Sequence, residues 1–387
     1  MSEYADSHLH LLSLARALCE PDLGPGACPS ITDMLGAVAQ ASADRHGPDW
    51  LVMRGFDDML CREQRLPRRS DLDAACAVPL RIRHRTGHAS LLNAAAFAIL
   101  PSPPFSARIE PDDSGTPVML VGAETWLNAC TGRPGRAALI EGLQRVAQLC
   151  RSAGIGRVWD TTPRDAASIV ELQCLLDECG FPLDMRWMQD TLASHPVGTH
   201  VKLFPQHLGR DLAAAVLSAH AKDMPVAIHV AREEELEAAL HALESSTGCS
   251  GRDRLEHVPL ATPGQARRIA ALRAAVVSHP GWLVSRRDKY RVTLSDEQRR
   301  RLFPFRLLVE CGVELAFSSD APIELPDPAA WQQIATGRDD GQAISAALAL
   351  AASRGGALWD PLWKQRAGNA PRGSRRFSTG TEKRPNL

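Results

Sequence analysis

Several short apolar or β-branched runs along this chain are followed by Ala- and Leu-rich stretches with helical spacing, with proline or glycine at many of the joints. The runs are residues 4–10, 156–161, 183–188, 200–204, 225–230, 254–258, 275–279 and 313–319. Helices are expected over 208–221, 233–245, 263–273 and 295–311. Strand followed by crossover helix is the pattern of a parallel sheet, and eight strands of that kind are what a (β/α)8 TIM-type barrel requires. At 387 residues the chain exceeds what a single core fills easily, so the barrel must carry an insertion or a second domain.

The extra length lies between the first and second runs. Residues from about 12 to 153, with strand-like runs of their own at 50–56 and 80–85, read as an inserted subdomain of a barrel spanning 1–361. Within the insertion, 101–117 is rich in Pro, Ser and Asp and is expected as an exposed loop. No internal repeat is found. The end, 362–387, carries Lys364, Arg366, Arg372, Arg375, Arg376, Lys383 and Arg384 against Glu382 alone and is expected to be disordered.

Composition narrows the partners. With 44% hydrophobic and 23% charged residues and a net charge of -1, the chain reads as an ordinary globular protein without the basic excess of a nucleic-acid binder. No apolar run is long enough to span a bilayer, and residues 1–6 lack the layout of a secretory signal, so no membrane association and a cytoplasmic location are expected. The ten cysteines include no CxxC pair, which argues against a zinc ribbon or a thioredoxin-like motif and leaves them as free thiols.

Chemistry enters with Asp6-Ser7-His8-Leu9-His10, where strand alternation puts two imidazoles on one face, close enough to share a metal ion. Alone, such a pair could equally be half-exposed and idle. Four later strand ends also finish in a residue able to bind metal: Lys202, His229, His257 and Asp320. Taken singly, Lys202 could be a half-buried lysine reaching solvent, the histidines satisfied core residues, and Asp320 a helix cap. In a closed parallel barrel, however, all C-terminal strand ends meet on one rim, where such folds place their active sites.

That ordered set, HxH then Lys, His, His and Asp on strands one, four, five, six and eight, resembles the amidohydrolase superfamily. The phrases around it are similar to its third family, the branch that includes N-substituted formamide deformylase: Asp6-Ser7-His8-Leu9-His10-Leu11-Leu12, Leu66-Pro67 with Asp71-Leu72-Asp73, His84-Arg85-Thr86-Gly87-His88-Ala89, Val201-Lys202-Leu203-Phe204, Glu256-His257 and Phe317-Ser318-Ser319-Asp320-Ala321-Pro322. The resemblance runs from about residue 6 to 322. It implies that His8 and His10 hold the more buried metal and His229 and His257 the more exposed one. Lys202 would bridge them as an N-carboxylated lysine, and Asp320 would bind the first metal and shuttle protons. The implied activity is hydrolysis of a C–N bond in a non-peptide amide, a formamide among the candidates. Zinc is the default ion for one or two sites, and the substrate is a small molecule. The same site could instead open an ester, lactone or phosphoester, or could bind metal in a silent barrel.

Four further residues are candidates for substrate contact. Arg85 and His88 stand in the insertion, where the alternative is a surface turn around Gly87. His279 ends the seventh strand and Trp282 could supply an apolar wall; Asp160, ending the second strand, has the same status as His279. His46, His195, His200, His207, His220 and His241 are expected to be solvent-facing or structural. Members of the superfamily normally flank the barrel with a small β-sandwich, with strands before the HxH and a return after the barrel. Neither half is recognisable here, so an uncovered apolar flank favouring a homo-oligomer or a partner chain is expected.

Overall fold

The β-branched runs form strands where their pattern places them. The computed structural model describes residues 4–44, 49–131, 135–190 and 199–359; His46, His195 and the basic end at 362–387 lie outside the described residues. The barrel strands are β1 (Tyr4–Leu9), β2 (Ile155–Arg164), β3 (Asp184–Gln189), β4 (His200–Leu203), β5 (Val226–Val230), β6 (Arg254–His257), β7 (Ala275–Ser278) and β8 (Glu314–Phe317). They lie side by side in chain order, each parallel to the next. Closure is made just past β8: Asp320 N donates to the His8 carbonyl and His10 N to the Ala321 carbonyl, both at 2.8 Å. This is the TIM-type barrel.

Alternation sorts each strand's side chains between two cores. On β5, Val226, Ile228 and Val230 pack outward into the helical layer, while Ala227 joins the barrel interior. The helices Leu212–Ala221, Glu233–Glu244 and Pro263–Leu272 occupy the expected stretches. The last is started by a capping box: Thr262 accepts from Gln265 N, the Gln265 side chain reaches back, and Pro263 takes the first turn, where no N–H is needed. The helix expected over 295–311 is instead two short ones, Asp296–Arg300 and Phe305–Glu310. Pro304 has no N–H to continue the ladder, and Phe303 before it takes a left-handed φ of 47°.

The interior is lined by small residues, among them Ala5, Ala227, Ala275 and Ala316, which leave room for Trp159 and Trp359. Trp359, from the turn Gly356–Trp359, plugs the end opposite the strand C-termini, packs edge-on to Trp159 at 5.2 Å, and donates through Nε1 to Ser7 Oγ at 3.4 Å.

Residues expected as the insertion divide between two cores. The helices Leu11–Cys19 and Arg136–Ser152 pack on each other and contribute Leu14, Leu143, Val146 and Cys150 to the barrel's outer core. Between them lies a mixed sheet ordered Leu51–Phe56, Leu80–His84, Ala89–Leu92, Pro117–Val121, Arg108–Pro111, with a core of its own around Met34, Met53, Ile82 and Leu91. The stretch 101–117, expected as a loop, contributes the exposed edge strand Arg108–Pro111.

The two helices approach so closely at Gly142 that a Cβ there would sit 2.5 Å from the Ala15 carbonyl oxygen. Backbone cannot yield as a side-chain tip does. Gly142→Ala is therefore expected to lower unfolding stability by about 1–3 kcal/mol in urea titration. An unchanged midpoint would mean that the helices have slack.

Candidate metal centre

Each strand end brings its chemistry to the same rim because the strands are parallel and in register: His229 pairs with Glu256 and Val230 with His257 on the β5–β6 ladder, and Ala227 pairs with Lys202 on β4–β5. On β1 the register shifts between Asp6 and Leu9, which turns His8 and His10 toward the axis while Leu9 packs outward. His257, Val258 and Asp320 have left-handed backbone, with φ of 70°, 45° and 57°. Such strain in residues with side chains gathers at functional sites.

The ring nitrogens form two groups. His8 Nε2 and His10 Nε2 lie 3.3 and 3.2 Å from Asp320 Oδ1, contacts too poorly directed to be hydrogen bonds. Across the rim, His257 Nε2 lies 3.0 Å from His229 Nδ1. His8 and His257 join the groups, with ring centres 4.9 Å apart. Lys202 is buried near both, and its Nζ has no hydrogen-bond partner among the described residues.

Electrostatics decides what these atoms can do. Burial lowers the pKa of His229 to about 4 and holds His257 well below the usual imidazole range, so both rings are neutral and bear lone pairs, and it lowers Lys202 to about 8, which brings its neutral amine within easier reach than for a free lysine. Burial alone would raise Asp320, but His8 and His10 outweigh it and keep this carboxylate well below its ordinary value. Glu256 accepts from His8 Nδ1, which leaves His8 Nε2 facing the carboxylate oxygen of Asp320. A positive charge reconciles the two. It can be a proton on His8, whose pKa Glu256 raises against the opposing effect of burial, or a metal ion. Converging imidazoles, a carboxylate with an unpaired oxygen and an orphaned buried amine fit a metal ion.

Of the other candidates, Trp282 and His279 pack against this centre. Trp282, 7% exposed, stacks on His279 and His257 at 4.7 and 5.3 Å, with the Arg286 guanidinium 3.6 Å from its ring centre. Arg85 reaches from the insertion to the rim segment after β7, donating to the Ser285 carbonyl at 3.3 Å. His88 is exposed beside the turn in which Gly87 N bonds the His84 carbonyl. His279 is fully enclosed behind His257. Asp160 is equally buried, accepting from Thr162 N at 3.0 Å and pairing with Arg164 at 3.2 Å. Of the remaining histidines, His200 is buried with Nε2 on the Arg252 carbonyl, and His220 is held between Ser246 and Asp253.

Arg254 and Glu256 were given no role from the sequence, although a signal was present: opposite charges at alternate positions of the short strand Arg254–His257. Both are fully buried, bonded to each other at 2.5 Å, and Arg254 also donates to the Ser7 carbonyl at 2.6 Å. Thr162, 2.9 Å from His10 Nδ1, carried no such signal.

A family model described as the amidohydrolase family matches residues 4–340. Part of the chain is 30% identical over 118 residues to N-substituted formamide deformylase from Arthrobacter pascens, covering 30% of this chain and 22% of that protein. Part is 29% identical over 123 residues to Putative amidohydrolase YtcJ from Bacillus subtilis (strain 168), covering 32% and 23%. These matches thus span less than a quarter of either relative. Two solved structures share the fold, uncharacterized metal-dependent hydrolases from Pyrococcus horikoshii OT3 and Pyrococcus furiosus. Each has a TM-score of 0.68 and 20% identity over 91% of this chain, covering 77% and 81% of theirs. With the family match running through the whole barrel and the rim that gathers His8, His10, Lys202, His229, His257 and Asp320, this chain belongs to the amidohydrolase family.

Proposed function

We propose that this protein is a metal-dependent hydrolase that opens a C–N bond in a non-peptide amide. The observation that carries the reading is the convergence of electron-pair donors at the rim: His8 Nε2 and His10 Nε2 against Asp320 Oδ1, and His257 Nε2 against His229 Nδ1, with Lys202 Nζ unpaired between them. His8, His10 and Asp320 would hold one divalent ion and His229 and His257 a second, with Lys202, carboxylated, shared by both. Zinc suits such a donor set. Bound there, the ions supply Lewis acidity, lowering the pKa of a water and polarising a carbonyl oxygen.

The chain's own residues do the rest. Asp320 accepts a proton through a carboxylate oxygen and delivers it to the departing nitrogen. Trp282 would close one side of the centre and limit water there, and Arg85 and His88, carried by the insertion, would take the polar end of a substrate. A formamide is the first candidate, on the partial likeness to N-substituted formamide deformylase.

The test is elemental analysis of protein expressed with zinc and bicarbonate and purified without chelator. About two equivalents per chain are expected, falling to about one or fewer in Lys202→Ala. One equivalent in both proteins would remove the lysine bridge, and none would remove the reading. A panel of amides, lactones and phosphotriesters then reads the bond class, with turnover confined to the latter two counting against amide cleavage.

A further inference from the structure

We propose that His279 is a positioning residue that holds His257 in its Nδ1–H tautomer and so aims the Nε2 lone pair at the centre. The inference rests on the metal-centre reading above and gives His279, whose ring lies within metal-holding reach of His8 and His257, a place behind His257 rather than in the ligand set.

The proton positions follow from the hydrogen-bond partners, starting at the far end. His279 Nδ1 lies 3.2 Å from the Ser318 carbonyl oxygen and 3.0 Å from Ser318 Oγ. The carbonyl can only accept. Ser318 Oγ also lies 3.4 Å from the Ser278 carbonyl, and with its proton directed there it offers His279 a lone pair. Two acceptors around one nitrogen place the proton of neutral His279 on Nδ1 and leave Nε2 as an acceptor.

That Nε2 lies 2.7 Å from His257 Nδ1, with both residues buried, and the contact is a hydrogen bond only if His257 is the donor. With Nδ1 protonated, the free pair of His257 is on Nε2, the atom 3.0 Å from His229 Nδ1. On β1 and just past it, Glu256 accepts from His8 Nδ1 and Thr162 Oγ1 lies 2.9 Å from His10 Nδ1. In three of the four rim histidines, therefore, Nδ1 is engaged from behind and Nε2 is turned forward. Groups behind a metal-binding imidazole fix its tautomer and ring plane, and their loss costs about 10–100-fold in metal affinity.

Two variants of the full-length chain separate positioning from ligation. His279→Phe keeps a flat ring but offers no acceptor to His257. His279→Gln places an amide oxygen near the position of Nε2 and an N–H near the Ser318 carbonyl. Zinc affinity, measured on chelator-stripped protein by competition with a chromophoric chelator, is expected to fall about 10–100-fold in His279→Phe and to be largely retained in His279→Gln. Equal loss in both would make His279 itself a ligand, and loss in neither would make it a packing residue; each overturns the proposal. The second readout needs no metal: imidazole ¹⁵N shifts of stripped wild-type protein should show His257 protonated on Nδ1, and in His279→Phe the proton should be shared between both nitrogens. A wild-type His257 protonated on Nε2 overturns the proposal even if a variant fails to fold. Wild-type protein that takes up no zinc but shows the Nδ1–H tautomer would sink the metal-centre reading and leave the tautomer lock standing.

Discussion

Asp320→Asn is expected to lower kcat/KM by about 10²–10⁴-fold while leaving most of the bound metal in place, the range that general acid–base groups contribute. Asparagine keeps an amide oxygen where Asp320 Oδ1 faces His8 and His10, so the donor set loses charge but not shape. It also tolerates the left-handed φ of 57° at this position, since Asn and Asp share a preference for that region, and the Asp320 N bond to the His8 carbonyl that helps close the barrel involves only backbone. What asparagine cannot do is accept a proton at neutral pH. Turnover and metal content measured on the same preparation separate the outcomes. Unchanged turnover with metal bound would remove the proton-transfer role, whereas loss of both would make Asp320 chiefly a ligand.

The second large effect is on stability. Arg254→Met is expected to lower unfolding free energy by about 3–5 kcal/mol, because it leaves Glu256 charged and buried without its main partner. Arg254 has no exposed surface, bonds Glu256 through Nε at 2.5 Å and Nη2 at 3.1 Å, and packs its guanidinium 4.4 Å from the Trp159 ring centre. Burial would raise the Glu256 carboxyl, yet Arg254, foremost among its charged neighbours, holds it well below the usual carboxylate range. Methionine fills much of the same volume, so the loss reports the stranded charge more than a cavity. The double variant Arg254→Met, Glu256→Leu should recover most of it, since an apolar pair of similar volume often matches a buried ion pair. Urea unfolding of the three proteins decides the matter. A loss below about 1 kcal/mol in the single variant would show that water reaches the pair, as it does for surface ion pairs.

The two effects meet at His8. Glu256 takes its Nδ1 and Asp320 faces its Nε2, so the stability of the barrel interior and the chemistry of the rim share one imidazole. The interior therefore tolerates a charged pair where many barrels stack branched apolar side chains. Alanines on β1, β5, β7 and β8 supply the space, and Trp159 and Trp359 close the other end.

The barrel was legible in the sequence because its signals are local. Runs of β-branched residues, the turns between them and the two-residue alternation on β5 need no knowledge of the rest of the chain, and the residues on which strands end are read directly from them. This is why all eight barrel strands and the rim set His8, His10, Lys202, His229, His257 and Asp320 could be listed in advance. Where a local signal was weak the expectation slipped, as at Pro304, whose missing N–H divides a stretch that otherwise has helical spacing, and at Arg108–Pro111, where a Pro-rich segment finds a strand to pair with. What only the tertiary structure decided is the wiring behind the rim. Glu256 reaches His8 across 248 positions of sequence, Thr162 reaches His10 across 152, and Arg85 crosses 200 to the rim segment after β7. The short step from His257 to His279, 22 residues, runs between adjacent strands and depends on both rings turning inward. Periodicity says which face of a strand a side chain takes. Which nitrogen of an imidazole carries the proton depends on the acceptor behind it, and closure of the barrel is what brings that acceptor within reach.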